Sequence, residues 1–394
     1  MVARSTASSG ISRDGVVPVS PRTDVLQPPR AAIPIPPRID IPQPPAAALA
    51  GSAVTLPGGA QFYAARSGDT VVAGAGADTV TAAAGTVSVL GSSGSLLFIG
   101  SIGSNSVAGA VGTVTAYGAV GGGTYTGGTA GGNVLVAAGG NTTLTGAGAG
   151  DQLFGASSGI TVLHAGTGRE TLVGGSGVTS ITGGAGAGAV IFTLGGVDSV
   201  AAGAFGKDTV VGGSGNLVLS SQNGVAVFGG SGTLAVTGGT SGADSVVGGS
   251  GGLIVDGRGA NLLVVDGTGS NTIRTGNGAN LIFAGGGTAN ILEGSGNGQI
   301  LLNKSTSTLG TNVVEGSGTV LYDVVKGAAG STNTIANYKP STDRINLFGY
   351  TQADVSLNSL PLPGGLSSLG IHLSDGTVIN LAGVASAGSS IVFG

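Results

Sequence analysis

Side chains with oxygen atoms stand at regular intervals just after glycine-rich turns. Between Gly257 and Gly294 the pattern Gly-x-Gly-x-Asn recurs with small variations, and its asparagines are Asn261, Asn271, Asn280 and Asn290. Elsewhere a carboxylate takes this place, as in Asp78, Asp151 and Glu170. Such oxygens can ligate a hard cation or hydrogen-bond the turn itself. The repeat therefore indicates either ion binding or turn capping.

The other titratable residues do not form a catalytic pattern. The two histidines, His164 and His372, are far apart in sequence, and no HExxH motif occurs. The few cationic residues between 51 and 321 do not recur at a regular spacing. Because an active site needs convergent titratable groups, we predict that the protein is not an enzyme.

The composition is that of a glycine-rich β protein. Of 394 residues, 82 are Gly, 4% are aromatic and 8% are charged, with no Cys and no Trp. No apolar run approaches the roughly 20 residues of a membrane helix, so no transmembrane segment is expected. The net charge of −4 gives no basic face for nucleic acid. The N-terminus lacks the apolar core of an ordinary signal peptide.

Three regions follow from this composition. Residues 1–50 hold ten of the 14 prolines and are expected to be an extended or disordered leader. Residues 51–320 are glycine-rich and, from Pro57 to Pro340, free of internal proline, as strands that need their N–H groups should be. Residues 321–394 have fewer glycines, and Asp375-Gly376 is a good hairpin turn, so we predict a C-terminal β module that caps the preceding region.

A unit of nine or ten residues recurs in the middle region. It is too short for a helix between glycines but fits a short strand plus a tight turn, and stacked units of this kind form a solenoid. We predict an all-β parallel β-roll or β-helix in which two units, 18 or 19 residues, make one coil. The aliphatic residue two positions after each asparagine should face the core: Leu263, Ile273, Ile282 and Leu292. The core should be too thin for aromatic rings, and residues 88–129 cannot be phased.

Several units, such as "GAGADTVTA" (74–82) and "GTGRETLVGG" with Glu170, resemble the nonapeptide GGxGxDxUx of the repeats-in-toxin (RTX) family. The resemblance covers about residues 66–300 and implies a β-roll that binds calcium, although most copies depart at the acidic position. In such a roll the ligands come from turns one coil apart. Asp151 and Glu170, nineteen residues apart, are the candidate metal pair. No cofactor is required, and calcium is allowed at a few turns of the first half.

A second resemblance lies at the C-terminus. "IANYKPSTDRINLFGY", "LSDGTVINLAGV" and the tail "SIVFG" are similar to the terminal module of bacterial proteins secreted by type I transporters. This resemblance implies that a transporter reads the uncleaved C-terminus. It also implies a Gram-negative origin and an extracellular or cell-surface location.

The asparagines favour turns that do not depend on an ion, because an amide has no charge to neutralise. Asn261 with Asn280, and Asn271 with Asn290, should lie one coil apart and form amide ladders. The function predicted from this regular repeat is a secreted structural protein that self-associates to form or coat an extracellular layer, filament or matrix. The alternative is a surface adhesin, or an RTX-type calcium-binding protein whose partner is a cell-surface polysaccharide.

Overall fold

The computed structural model describes residues 51–394 apart from residue 187 and residues 205–206, 285, 303–309, 328–329 and 362–366. By its internal contacts the chain divides into Met1–Asp40 and Ile41–Gly394, and every described residue belongs to the second unit. The proline-rich leader predicted for residues 1–50 lies outside the described residues.

The described chain is almost entirely short strands. The strands are β1 Ala53–Thr55, β2 Phe62–Ala65, β3 Thr70–Val72, β4 Asp78–Ala82, β5 Ser88–Leu90, β6 Leu96–Ile99, β7 Asn105–Ala108, β8 Val114–Tyr117, β9 Gly122–Thr126, β10 Val134–Val136, β11 Asn141–Thr145, β12 Gln152–Phe154, β13 Ile160–His164, β14 Thr171–Val173, β15 Val178–Thr182, β16 Val190–Phe192, β17 Val197–Ala201, β18 Asp208–Val211, β19 Asn216–Ser220, β20 Val225–Phe228, β21 Leu234–Thr237, β22 Ala243–Val247, β23 Leu253–Asp256, β24 Asn261–Val265, β25 Ser270–Arg274, β26 Asn280–Phe283, β27 Thr288–Leu292, β28 Gly298–Leu301, β29 Thr311–Val314, β30 Val320–Val325, β31 Thr332–Ala336, β32 Arg344–Phe348, β33 Val355–Pro361, β34 Ser367–Leu373, β35 Val378–Ala382 and β36 Ile391–Phe393. Two single 3₁₀ turns, Gln352–Asp354 and Gly388–Ser390, are the helical elements of the described residues.

The strands form a parallel β-solenoid of about 15 coils, which confirms the predicted fold class. Odd-numbered strands pair in one sheet, sheet A, and even-numbered strands up to β32 pair in a second, sheet B. Each strand from β1 to β30 pairs in parallel with the strand two places on: Val134 of β10 lies opposite Gln152 of β12, which lies opposite Thr171 of β14. One coil is therefore 18 or 19 residues here, as predicted.

Glycine is needed where the turns of successive coils stack. A Cβ on Gly249 would overlap the carbonyl oxygen of Gly230, one coil earlier. Backbone approaches backbone directly at such positions, which leaves no room for a side chain.

The segment 88–129, which could not be phased from sequence, pairs in the same way as the other coils, with β5 to β9 in register. Here Leu96 and Val114 replace the polar residue that marks other turns.

The core is a narrow layer between the two sheets, and most strands contribute one or two large residues to it. In sheet B this inward column runs through Leu153, Leu172 and Ile191, all fully buried. The expectation that rings would not fit is wrong at two places, one of which is the buried pair Tyr322 and Tyr338, whose ring centroids are 6.1 Å apart. Phe98 and Tyr125 are buried with their ring centroids 6.0 Å apart. Gly118 allows this, because a Cβ there would lie 3.2 Å from the Tyr125 ring.

Two of the four predicted core aliphatics are correctly placed. Ile273 and Ile282 are 0% exposed, whereas Leu263 is 39% and Leu292 is 36% exposed. The reason is the number of residues between the preceding strand and the asparagine. Five residues precede Asn271 and Asn280, whereas four precede Asn261 and six precede Asn290, so Asn261, Asn290 and the aliphatic residue two positions after each face outward. A shift of one residue turns every side chain of a strand to the other face.

The C-terminal end combines continued coils with an antiparallel addition. Strands β30, β31 and β32 extend the parallel stacks beyond residue 321. The hairpin predicted at Asp375-Gly376 joins β34 and β35, and Gly376 has φ 88°. Strand β35 also pairs in parallel with β31, and β36 with β32, so these strands cover the last coil of both sheets.

The phase difference gives a stability prediction. Ile282→Asp places an unpaired charge among buried aliphatics and should lower the free energy of unfolding by several kcal/mol. Leu263→Asp, one coil away on the outer face, should change it by less than about 1 kcal/mol. Urea unfolding of the full chain compares the two variants, and equal losses would show that the inward assignment of Ile282 is wrong.

Candidate functional site

Each coil has two corners at which a glycine-rich turn enters a strand, and the inward residue at that point is here called the entry-corner residue. In both sheets many entry-corner residues are polar although they are buried. In sheet A they include Asp69, Asn105, Thr142, Thr161, Thr179, Asp198, Asn271, Thr311 and Asn333; in sheet B they include Asp78, Asn133, Asp151, Glu170, Asp208, Asp244, Asn280 and Asp343.

The entry-corner carboxylates are bound by backbone N–H groups. In Asp208, Oδ1 accepts from the N–H of Ala189 in the preceding coil at 2.7 Å, and Oδ2 accepts from the N–H of Gly203 in its own turn at 2.7 Å. Asp78 and Asp343 use the same two kinds of donor. Each side chain thus ties one coil to the next and closes its own turn. A charged acceptor with backbone donors is a strong hydrogen-bonding arrangement.

At other corners the neutral amide of an asparagine accepts the same kind of backbone hydrogen bond. Asn133 Oδ1 accepts from the N–H groups of Val114 at 2.7 Å and Gly128 at 2.9 Å. Asn333 Oδ1 accepts from the Thr311 N–H at 2.9 Å. At these two corners an uncharged acceptor oxygen is therefore sufficient.

The candidate metal pair is brought together, one coil apart in sheet B. Asp151 Oδ1 accepts from the N–H and the Nδ2 of Asn133, and its Oδ2 accepts from the N–H groups of Ala147 and Gly148. Glu170 Oε1 accepts from the Gly168 N–H at 2.9 Å, while the buried Oε2 has no hydrogen-bond partner.

The electrostatics of this pair favour a proton on Glu170. Burial, together with the charges of Asp151 and Asp208, raises the pKa of Glu170. Calcium takes six to eight oxygen ligands. Across the described ranges, no three His, Cys, Asp or Glu side chains are close enough together to hold an ion. The oxygens of Asp151 already accept four hydrogen bonds, so these residues are a poor fit to a calcium cage.

The four predicted turn asparagines divide into two kinds. Asn271 and Asn280 are buried entry-corner residues, and Asn271 Nδ2 donates to the carbonyl oxygens of Gly267 at 3.0 Å and Gly269 at 3.1 Å, as a turn cap should. Asn280 Nδ2 likewise donates to Gly278 O at 3.0 Å. The exposed Asn261 accepts from the N–H of the next coil's turn, at Ala279.

The predicted amide ladders are wrong by one residue. Asn280 lies opposite Leu262 and not Asn261, and Asn271 lies opposite Ala289 and not Asn290. The same difference in phase that exposes Leu263 and Leu292 is responsible. A ladder does exist on the outer face of sheet A, where Asn312 Nδ2 donates to Asn290 Oδ1 at 3.1 Å.

A second group of buried acids lies at the opposite corner, where strands of sheet A end. Glu293 Oε2 accepts from Thr275 Oγ1 at 3.0 Å. One coil on, Glu315 accepts from Tyr322 OH at 2.6 Å and forms an ion pair with Lys339 at 3.0 Å. Sequence reasoning missed this group because Glu293 and Glu315 are 22 residues apart, outside the regular period.

The outer faces of the two sheets differ in chemistry. On sheet A, hydroxyl groups align across neighbouring strands: Thr124 with Thr143 and Thr126 with Thr145. On sheet B, the outward residues of the strands from β2 to β28 include no charged side chain. Many strands of sheet B end in two apolar residues, such as Leu153-Phe154, and this was the available sequence signal for an apolar outer face.

No catalytic grouping accompanies these surfaces. His164 lies at the end of β13 in sheet A, and His372 lies in the C-terminal strand β34. A shallow depression of about 600 Å³ over the turns near Val178 and Val197 is lined by Gly, Ser, Val and Asn, without a titratable side chain.

No protein-family model and no curated protein matches this chain. The part of the chain that the structure describes contains no helix long and apolar enough to cross a bilayer.

The corner hydrogen bonds predict folding without calcium. Because backbone donors already occupy both carboxylate oxygens of Asp78, Asp151, Asp208 and Asp343, the full chain should give the same β-sheet circular dichroism spectrum in excess chelator as in millimolar calcium. A β spectrum that forms after calcium is added, and is absent in chelator, would contradict this prediction and assign the corners to an ion.

The buried Glu293 predicts a pH dependence. Burial raises the pKa of Glu293 from 4.5 to about 7. The folded state then holds this proton more tightly than the unfolded state. This contribution to the free energy of unfolding is fully present below pH 4.5 and is lost as pH rises towards 7. Glu293→Gln should therefore stabilise the chain by about 1–3 kcal/mol at pH 8 and have little effect at pH 4.5.

Urea unfolding of the full chain and of Glu293→Gln at the two pH values measures this difference. A change of equal size at both pH values would show that the Glu293 carboxyl does not titrate in this range.

Proposed function

We propose that the protein is a secreted, non-enzymatic structural protein that self-associates to form or coat an extracellular layer, filament or matrix. The observation that carries this proposal is the uncharged outer face of sheet B, which continues from coil to coil. Exposed apolar surface of this extent is typical of interaction sites on soluble proteins. The corner residues hold the coils in register from within, which gives such a surface a regular and rigid form.

The arrangement of titratable groups supports a structural role over catalysis. The buried acids of the described coils hydrogen-bond to turns and neighbouring coils, and the histidines lie on separate strands. An enzyme would need an acid, a base or a nucleophile facing a common cleft.

A second candidate function is that of an adhesin that binds polysaccharide. The observation in its favour is the hydroxyl array on the outer face of sheet A. Thr143 and Thr145 alternate with the inward Leu144, so both hydroxyls face outward, opposite Thr124 and Thr126 of the previous coil. Rows of hydroxyl groups suit the hydroxyl groups of a sugar chain.

Export by a type I transporter, and with it an extracellular or cell-surface location in a Gram-negative bacterium, is part of the proposal. Its support is the C-terminal sequence resemblance. In a Gram-negative host with such a transporter, the full chain should reach the medium or cell surface, and a chain ending before Thr332 should stay in the cytoplasm. Export of the shortened chain would remove this part of the proposal.

Electron microscopy of the purified full chain tests the main function. We expect ordered sheets or fibres, or in dilute solution a concentration-dependent increase in mass by light scattering. Monomers that persist at all concentrations and bind glycan arrays would favour the adhesin function and contradict the structural one.

A further inference from the structure

The outer face of sheet B carries a continuous apolar row, here called the apolar stripe. It takes one residue from each successive strand of sheet B, and the residues lie opposite one another in register: Ile99, Tyr117, Val136, Phe154, Val173, Phe192, Val211, Phe228, Val247, Val265, Phe283 and Leu301. The row crosses the long axis of every strand, so its members are about 4.8 Å apart.

The stripe differs along its length in exposure. Val136, Phe154 and Val173 are buried in an apolar cluster of their own, separate from the solenoid core. From Phe192 to Leu301 the side chains are partly exposed, and Phe228 is 46% exposed. The neighbouring outward row over these coils is also uncharged and includes the exposed Leu263. The second part of the stripe is therefore open to a partner.

The shape of the stripe is self-complementary. From Tyr117 to Val247, aromatic residues and valines alternate from one coil to the next. Rings therefore project every second coil, about 9.6 Å apart, with a valine hollow between them. A ring from an identical surface fits such a hollow, whereas ring against ring would hold the two surfaces apart.

We propose that a second copy of this chain packs face to face on the apolar stripe, in antiparallel orientation. This inference rests on the proposed self-association and names the surface through which it occurs. A two-fold axis parallel to the solenoid axis would place each ring against the same ring of the second copy. A two-fold axis across the solenoid, midway between Val211 and Phe228, places Phe192 opposite Val247 and Val211 opposite Phe228 of the second copy. Such an interface is isologous and closed.

The size of the open surface sets the strength of the contact. The four open, alternating coils at about 4.8 Å, with strands about 13 Å long, give about 250 Å² of projected area in each copy. Two such faces are smaller than stable specific interfaces, so the contact is weak and concentration-dependent. The dimer should therefore form and dissociate with protein concentration, and any larger assembly needs further contacts.

A matched pair of outward variants of the full chain tests the surface. Phe228→Lys places a charge in the stripe, while Val218→Lys places one on the outer face of sheet A, where Val218 is 54% exposed. Sedimentation should show that Phe228→Lys raises the dimer dissociation constant at least about tenfold, as loss of an interface anchor does. Val218→Lys should leave it within about twofold.

The absence of cysteine from the chain allows a second measurement that identifies the occupant. In Phe228→Cys the thiol should react more slowly with a thiol reagent as protein concentration rises, and in Val218→Cys the rate should not change. Protection of Phe228→Cys that is independent of concentration would mean that something other than a second copy covers the stripe, and would overturn the proposal.

These outcomes distinguish failure of the proposed interface from failure of the proposed structural function. If the wild-type chain associates and Phe228→Lys associates equally well, the stripe is not the interface, but self-association stands. If the wild-type chain stays monomeric at every concentration, both the stripe and the structural function fail.

Discussion

The rest of this structure depends on one hydrogen-bonded arrangement, in which a side-chain oxygen at the start of a strand accepts an N–H from the coil before it and another from its own turn. At the corners that use it, the side-chain oxygen supplies a partner for buried backbone N–H groups of two coils. Asp208 and Asn133 supply that acceptor in the same geometry, one with a charge and one without. The thin core alone does not define where each coil turns.

The repeat period was enough to predict the fold, but it did not show for every strand which side chains face the core. Glycine spacing and the missing prolines indicate strands and turns, and Ile273 and Ile282 are in the core as predicted. Leu263 and Leu292 are not, because four and six residues separate their asparagines from the preceding strand, whereas five separate the asparagines before Ile273 and Ile282, and one residue more or less turns a side chain to the opposite face. Phase is decided by pairing with the neighbouring coil, which a single repeat does not contain.

The candidate site was predictable in part for a similar reason. The nineteen-residue spacing brought Asp151 and Glu170 to one corner as expected. Their hydrogen-bond partners include the backbone N–H groups of Ala147 and Gly168. The residue types in the sequence do not show that these backbone groups are donors. Glu293 and Glu315 were missed because the longer connection between them hides that they occupy the same corner in successive coils. Spacing identifies candidate neighbours, whereas only the folded backbone shows which donors reach them.

The alternation of rings and valines on sheet B has a consequence for how such a chain can change in length. In a solenoid each coil contacts its neighbours, so whole coils can be gained or lost without unfolding the rest. Insertion of a single coil between Val136 and Phe154 would reverse the order of rings and hollows on one side of the insertion relative to the other. Insertion of two coils would preserve it. From Tyr117 to Val247, a single coil can therefore be duplicated without loss of folding, but only duplication in pairs keeps the alternation, which ends where Val247 and Val265 are neighbours.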